Sequence, residues 1–273
     1  KYLEKYKQHP LIVPAPAPHA IYTTADDVIR KARALANRYN VPLLIHLSET
    51  KRENDEATAK RGMSPTKVLE SIGALEGRTL GAHGVWLDDE DLAILQKRGT
   101  GLAHCPSSNS KLASGVARVP RILSMGIPMG LGTDGFAGSN NDASLFEEMD
   151  LAAKLQKITS LDPTLLPATQ ALEMATILGA RALGMDKEIG SLEPGKRADL
   201  IAVSLRATNA IPLYQPVSQL VYALKSKDVS DVMVNGKHVV KNRVVVTLNE
   251  SAIRNKTEEY RQKIAKSVGL SLQ

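Results

Sequence analysis

Cysteine is almost absent from this chain. Its single thiol, Cys105, excludes an internal disulfide and any zinc site built from several cysteines, and it fits a reducing compartment. No unbroken apolar run of about 18 residues occurs, which argues against a membrane-spanning helix. The opening K-Y-L-E-K-Y-K-Q has no apolar centre of the kind a secretory signal needs. The cytoplasm is therefore the expected location, with no membrane partner. Nor is charge massed in a block: the net charge of +6 comes from 35 basic and 29 acidic residues that are interspersed. Even the most basic stretch, Arg254 to Lys266, contains Glu258 and Glu259. It reads as an amphipathic helix with Tyr260 and Ile264 inward, a solvated face and not a nucleic-acid site.

What is present is ordinary for a globular protein: 43% hydrophobic and 23% charged residues. A length of 273 residues allows one barrel-sized domain or two smaller ones. Leu11 to Val13 reads as a short strand, followed by P-A-P-A-P-H-A and a helix capped by Thr24 with Asp27 at its third position. That helix is expected to bury Val28, Ala32, Leu35, Ala36 and Tyr39 and to end at a left-handed Asn40. Leu43 to Leu47 is apolar except for His46, as a parallel strand covered on both faces would be.

The unit then repeats. Ser64-Pro65 opens a helix before a strand from Thr79 to His83, and Asp88 caps a helix that ends at Gly99 before a strand from Gly101 to His104. Arg118 to Met125 reads as a helix, Ile127 to Asp134 as a strand, and Ser144 to Ile158 as a helix. Strands alternating with helices require a parallel sheet, in a doubly wound α/β fold or a (β/α)₈ barrel. After a helix from Pro167 to Leu178 the pattern changes to short strands, Leu200 to Ser204, Asp231 to Val234 and His238 to Val246. The last two are joined by a hairpin at Asn235-Gly236.

His19, His46 with Glu49, His83, His104 and Asp134 all fall at the C-terminal ends of successive strands. Each alone has a bland reading, a core histidine or a turn aspartate. Together they converge on one mouth, where a parallel barrel carries its active site. Imidazole and carboxylate are the donors of a catalytic divalent-metal site, so His46 and Asp134 are candidate ligands. Glu49, three residues beyond His46, can reach a substrate without binding metal and is a candidate general acid and base. Its bland alternative is a solvated acid in the charged stretch E-T-K-R-E-N-D-E.

The strings H-L-S-E (46 to 49), G-A-H-G-V (81 to 85), H-C-P-S-S-N-S-K-L (104 to 112), G-L-G-T-D-G (130 to 135) and G-S-L-E-P-G-K-R-A-D-L (190 to 200) resemble the amidohydrolase superfamily, in particular its aminohydrolase branch. P-H-A-I-Y-T (18 to 23) is similar to a loop of the methylthioadenosine/adenosylhomocysteine deaminases of that branch.

The resemblance implies a (β/α)₈ TIM-like barrel with a small β-sandwich domain. The barrel would occupy residues 1–189, the small β domain 190–246 and a C-terminal helix 247–273. It implies one divalent metal, zinc first with iron or nickel as alternatives. His46 and Asp134 would be ligands, Asp134 would also take a proton from the attacking water, Glu49 would be the proton shuttle, and His83 would polarise the surroundings of the attacked carbon. His19 would bind substrate, with His104 and Asn109 shaping the pocket.

The implied reaction is hydrolytic deamination of a 6-aminopurine nucleoside such as adenosylhomocysteine, methylthioadenosine or adenosine. Deamination of guanine, pterin or cytosine, or dechlorination of a triazine, are rivals in the same branch. From another class, an inactive remnant with a binding role is the rival. The nucleobase deaminases of P-C-x-x-C type are excluded by the lone cysteine.

One departure stands out: the family's H-x-H ligand pair is absent from the sequence. With Asp134 on strand eight, Leu11 to Val13 would be strand four, so strands four to eight are expected here and roughly 100 to 150 residues are expected before Lys1. On that reading the chain alone would hold metal poorly, and a homo-oligomer or association with the N-terminal segment would cover its open sheet.

Overall fold

The computed structural model describes residues 1–271, so the last two residues of the expected C-terminal helix lie outside the described part. The chain divides into two compact units. One comprises residues 1–196 with 207–226, the other 197–206 with 227–271 of the described chain.

The first unit is built on a parallel four-stranded sheet of β1 (Leu43–Leu47), β2 (Thr79–His83), β3 (Gly101–His104) and β4 (Met129–Leu131), in that spatial order. Helices cover one face. Register places Ile45, Gly81, Leu102 and Met129 side by side on that face. Ile45, Leu102 and Met129 form one core with Ile29, Leu69, Leu92, Leu95 and Ile122 from the helices. Burying each such large side chain stabilises the fold by about 1.5–3 kcal/mol. The other face carries Leu44, His46, Leu80, Ala82 and Ala103, all half-buried.

Local signals explain where the helices begin and end. Asn40 closes the first long helix (Asp26–Tyr39) in the left-handed region, at φ 52°. Ser64 accepts the Lys67 N–H ahead of Pro65, and Asp88 forms a reciprocal capping box with Asp91. Ser144 caps the helix Leu145–Ser160. Gly130 lets the chain pass close by: a Cβ there would sit 2.5 Å from the Cα of Gly179.

Several expectations are corrected. Leu11 to Val13 is irregular, and the chain meets the sheet later, where the Pro16 and His19 carbonyls accept the N–H groups of Leu44 and His46 at 3.0 and 2.9 Å. Pro14, Pro16 and Pro18 have no N–H to donate, so no regular ladder forms. Thr24 caps nothing; Ala25 is the N-cap, and the buried stripe is Ile29, Arg33 and Ala36, with Val28 and Leu35 outside. Arg33 inverts the expected pattern because its guanidinium is buried as a donor to the Arg78 carbonyl and the Thr79 hydroxyl, each at 3.0 Å.

The strand expected to run to Asp134 ends at Leu131, although Gly132 still donates to the His104 carbonyl at 2.9 Å. The helix expected from Pro167 is broken at Thr176 into Ala168–Ala175 and Ile177–Ala182. Lys51–Arg61, for which the sequence pattern predicts no element, is a helix capped by Thr50 and laced by Lys51–Asp55, Arg52–Glu56 and Lys60–Glu56 pairs. Pro106–Lys111 and Pro216–Tyr222 are helices that the apolar pattern does not announce.

The second unit holds an antiparallel sheet of β5 (Leu200–Val203), β6 (Val229–Val234), β7 (Lys237–Lys241) and β8 (Val244–Val245). Asn235 and Gly236 turn with φ of 49° and 77°, as expected of a type I′ hairpin. The run from His238 to Val246 is divided by a second turn at Asn242-Arg243, also with positive φ. The helix Glu250–Ser267 follows, with Tyr260 and Ile264 exposed and only Ala265 buried, contrary to the inward face expected. Among the described residues, no helix is long and apolar enough to cross a membrane.

Candidate active site

The C-terminal ends of β1, β2 and β4 bring three side chains together. His46, His83 and Asp134 each offer one donor atom, and these atoms lie within 4.8 Å of one another. His46 arrives there by strand alternation. His83 does not: by register it shares the face of Leu47, opposite to His46. Its φ of 76° breaks the alternation and brings its ring into a stack on His46, centroids 5.4 Å apart. Asp134, at φ 62°, is likewise a non-glycine residue in the left-handed region. Such backbone costs about 1–3 kcal/mol per residue and persists where surrounding bonds enforce it.

The imidazoles are oriented by their other nitrogens. His46 Nδ1 lies 2.8 Å from the His19 carbonyl, which can only accept, so Nδ1 carries the hydrogen and Nε2 keeps its lone pair. His83 Nδ1 lies 2.9 Å from Asn109 Oδ1 in full burial, which leaves its Nε2 facing Glu49 and Asp134 at 3.8 and 3.9 Å. Asp134 receives the Ser108 hydroxyl at 2.6 Å and the Gly135 N–H at 2.7 Å. Burial works to raise its pKa, but the Ser108 and Gly135 hydrogen bonds and the nearby His83 hold the carboxyl below its ordinary value. It is an anion at neutral pH.

Glu49 stands beside the cluster and outside it. Its Oε1 accepts the Ser114 hydroxyl at 3.2 Å, and its backbone N–H donates to buried Glu53 at 2.8 Å. Burial pushes the Glu53 carboxyl up to about 6. His19 adjoins the site with its ring 4.6 Å from that of His46, and its Nδ1 pairs with the Thr23 hydroxyl at 2.7 Å. A cleft of about 770 Å³ is lined by Ile21, Tyr22, Thr50 and Glu53 among others, and none of His46, Glu49, His83 or Asp134 is in its wall.

His104 differs from the other histidines. By register it lies on the face of Leu102, and neither ring nitrogen has a hydrogen-bond partner. Burial, reinforced by nearby His83, takes its pKa down to about 3. Burial likewise pushes the Cys105 thiol up to about 12, with the Asp134 charge adding to it, so no thiolate nucleophile forms at neutral pH.

Sequence reasoning places every histidine and acid of the cluster but omits Ser108, Ser114, Thr23 and Glu53, which hold them. Ser108 lies inside the string H-C-P-S-S-N-S-K-L, next to Asn109, and that adjacency is the one signal for it.

Known proteins resemble this chain along most of its length. The profile of the amidohydrolase family matches residues 1–239. A 5-methylthioadenosine/S-adenosylhomocysteine deaminase of Thermodesulfovibrio yellowstonii is 44% identical over 267 residues, which cover 98% of this chain and 61% of that protein. An adenosine deaminase from Xanthomonas campestris, solved with bound zinc, superposes with a TM-score of 0.92 at 36% identity over 96% of this chain and 60% of that one. Atrazine chlorohydrolase TrzN from Arthrobacter aurescens, also solved with zinc, superposes with a TM-score of 0.85 at 25% identity, over 94% of this chain and 58% of its own. The chain thus spans about 60% of the length of the relatives it matches.

Proposed function

The chain belongs to the amidohydrolase family, and from that premise we propose that it carries the metal-dependent hydrolytic deamination of a 6-aminopurine nucleoside, with release of ammonia. The observation that carries the reading is the convergence of His46, His83 and Asp134 donors within 4.8 Å, with Glu49 beside them. That spacing is comparable to twice a zinc–nitrogen or zinc–oxygen bond of about 2.0–2.2 Å, and imidazole with carboxylate is a donor set that zinc accepts. Both imidazoles present Nε2 lone pairs while Nδ1 is committed elsewhere, the arrangement that second-sphere partners impose on metal-binding histidines.

His46 and Asp134 would hold the ion, zinc by preference, with His83 next to it. Bound there, a divalent ion supplies Lewis acidity and lowers the pKa of water from 15.7 toward about 7. Asp134, an anion held by Ser108 and Gly135, takes a proton of the attacking water on its carboxylate. Glu49 gives its proton to the ring nitrogen beside the amine-bearing carbon, the proton taken by Asp134 passes to the departing amine to make ammonia, and the water's second proton restores Glu49. His83 accepts a hydrogen bond from the attacking water through its Nε2 lone pair. His19 binds the purine or its sugar, while Asn109 and His104 shape the site from below. Water plus the aminopurine thus gives the oxopurine plus ammonia.

The same reading assigns the parallel sheet to a (β/α)₈ barrel within residues 1–189, the antiparallel strands to a small β-sandwich domain within 190–246 and the rest to a C-terminal helix.

The test is to measure bound metal in the whole protein and to follow ammonia release from adenosylhomocysteine, methylthioadenosine, adenosine, guanine and cytosine, with chloride release from a chlorotriazine alongside. Turnover of the adenine nucleosides is expected. Guanine, cytosine or the triazine as the preferred substrate would overturn the substrate class. Bound metal with no turnover of any of them would favour an inactive binding protein.

A further inference from the structure

One buried carboxylate outside the donor cluster reaches both oxygens of Asp134 through two different segments, the helix Pro106–Lys111 and the loop from Gly135 to Asn140. Glu148, on the helix Leu145–Ser160, is fully buried. Its Oε2 accepts the Ser107 N–H at 3.0 Å, and its Oε1 accepts Asn140 Nδ2 at 2.9 Å. Beside Ser107, Ser108 donates its hydroxyl to Asp134 Oδ2 at 2.6 Å. On the other side, the Asn140 N–H donates to the Gly135 carbonyl at 3.0 Å, and the Gly135 N–H donates to Asp134 Oδ1 at 2.7 Å. Each Glu148 oxygen therefore leads, through one segment, to a different oxygen of Asp134. The Ser107 side also carries Asn109, the partner of His83.

The chemistry of this link requires a carboxylate. Both groups that Glu148 receives are donors, so it must offer two acceptors. Asn140 is fixed in its orientation because its Oδ1 already accepts the Asp142 N–H at 2.9 Å. A glutamine at 148 would set one NH₂ against another and keep only one of the two bonds. Asp134 needs such a clamp, because its left-handed φ of 62° favours relaxation wherever the neighbouring segments are released.

We infer that Glu148 is the positioning residue of this site, clamping the helix and the loop that aim the Asp134 carboxylate and so setting the site's affinity for a divalent cation. The second half of that statement rests on the metal-site reading above. The first half stands on the hydrogen bonds alone.

The experiment compares the whole protein with its Glu148→Gln and Glu148→Leu variants by three measurements: metal-free crystal structures, Zn²⁺ titration and thermal unfolding. In Glu148→Leu the Ser108–Asp134 bond should open beyond about 3.5 Å and the carboxylate should turn. The Zn²⁺ dissociation constant should weaken by about 10–100-fold, as for other partners of metal ligands. Glu148→Gln should recover part of both effects, and it alone decides the matter if the leucine variant does not fold.

A fall in melting temperature with Asp134 unmoved and Zn²⁺ affinity unchanged would reduce Glu148 to a stabilising residue and overturn the inference. If the unsubstituted whole protein takes up no Zn²⁺, the metal reading fails by itself. The position of the Asp134 carboxylate in the variant structures then still decides whether Glu148 holds it.

Discussion

His83 and Asn109 form a buried pair whose 2.9 Å contact determines which nitrogen of the imidazole faces the site. Asn109 Oδ1 can only accept, so the hydrogen resides on His83 Nδ1 and the lone pair on Nε2. Asn109→Ala should release that tautomer and lower metal affinity or activity by about 10–100-fold. Asn109→Asp should retain the tautomer, since Asn109 Nδ2 has no partner to lose. Long-range proton–nitrogen spectra of the His83 ring report the tautomer directly. A Nδ1–H ring that persists in the alanine variant with unchanged affinity would sink the idea.

The parts of this fold that are legible in the sequence are those in which one physical signal dominates. β1, β2 and β3 have the limits expected because each is a short apolar run between turn or cap residues. The helix Lys51–Arg61 is illegible because no apolar stripe supports it; a cap and spaced ion pairs do. Arg33 misleads because a buried guanidinium stands where a hydrophobic residue is expected. At the site, the residue types and their strand-end placement are visible, and the left-handed backbone at His83 and Asp134 is not. A positive φ in a histidine or aspartate leaves no mark in composition, because the surrounding bonds impose it.

Glu49 lies outside the three-donor cluster, and its separation of 3.8 Å from His83 Nε2 suits proton transfer to a bound substrate. Glu49→Gln in the whole enzyme should leave metal content near normal and cut turnover by about 10² or more. Metal analysis paired with ammonia release checks both halves. Loss of metal together with activity would make Glu49 a ligand, and unchanged turnover would return it to the role of a loop acid.

Glu53 carries a pH signature of its own. Burial raises its carboxyl from the ordinary 4.5 to about 6 in the fold. The folded state therefore holds the proton more tightly than the unfolded chain. Stability from this group is complete below pH 4.5 and is lost as pH rises through about 6. The difference is worth about 2 kcal/mol at neutral pH. Glu53→Gln keeps an acceptor for the Glu49 N–H and should flatten that stretch of the stability curve, leaving the variant more stable at pH 7. Denaturant titrations between pH 4 and 8 read this, and equal slopes in the two proteins would refute it.

His104 should do the opposite on the acid side. Burial, with His83 adding to it, depresses its pKa from 6.5 to about 3, so the fold holds the ring neutral while the unfolded chain protonates it. The stability it contributes is present above pH 6.5 and is lost as pH falls toward 3. The loss runs at about 1.4 kcal/mol per pH unit, or about 2 kcal/mol by pH 5. Because neither ring nitrogen has a partner, the imidazole also leaves polar atoms unsatisfied in the interior, at a cost of about 1–3 kcal/mol. His104→Leu removes both effects. The variant should unfold at a temperature equal to or above that of the parent at pH 7.5, and its melting temperature should fall less between pH 6.5 and 4.5. A parallel fall in both proteins would mean that His104 is protonated or hydrogen-bonded in the fold. A large loss of stability at pH 7.5 would mean that the ring fills its site in a way leucine cannot.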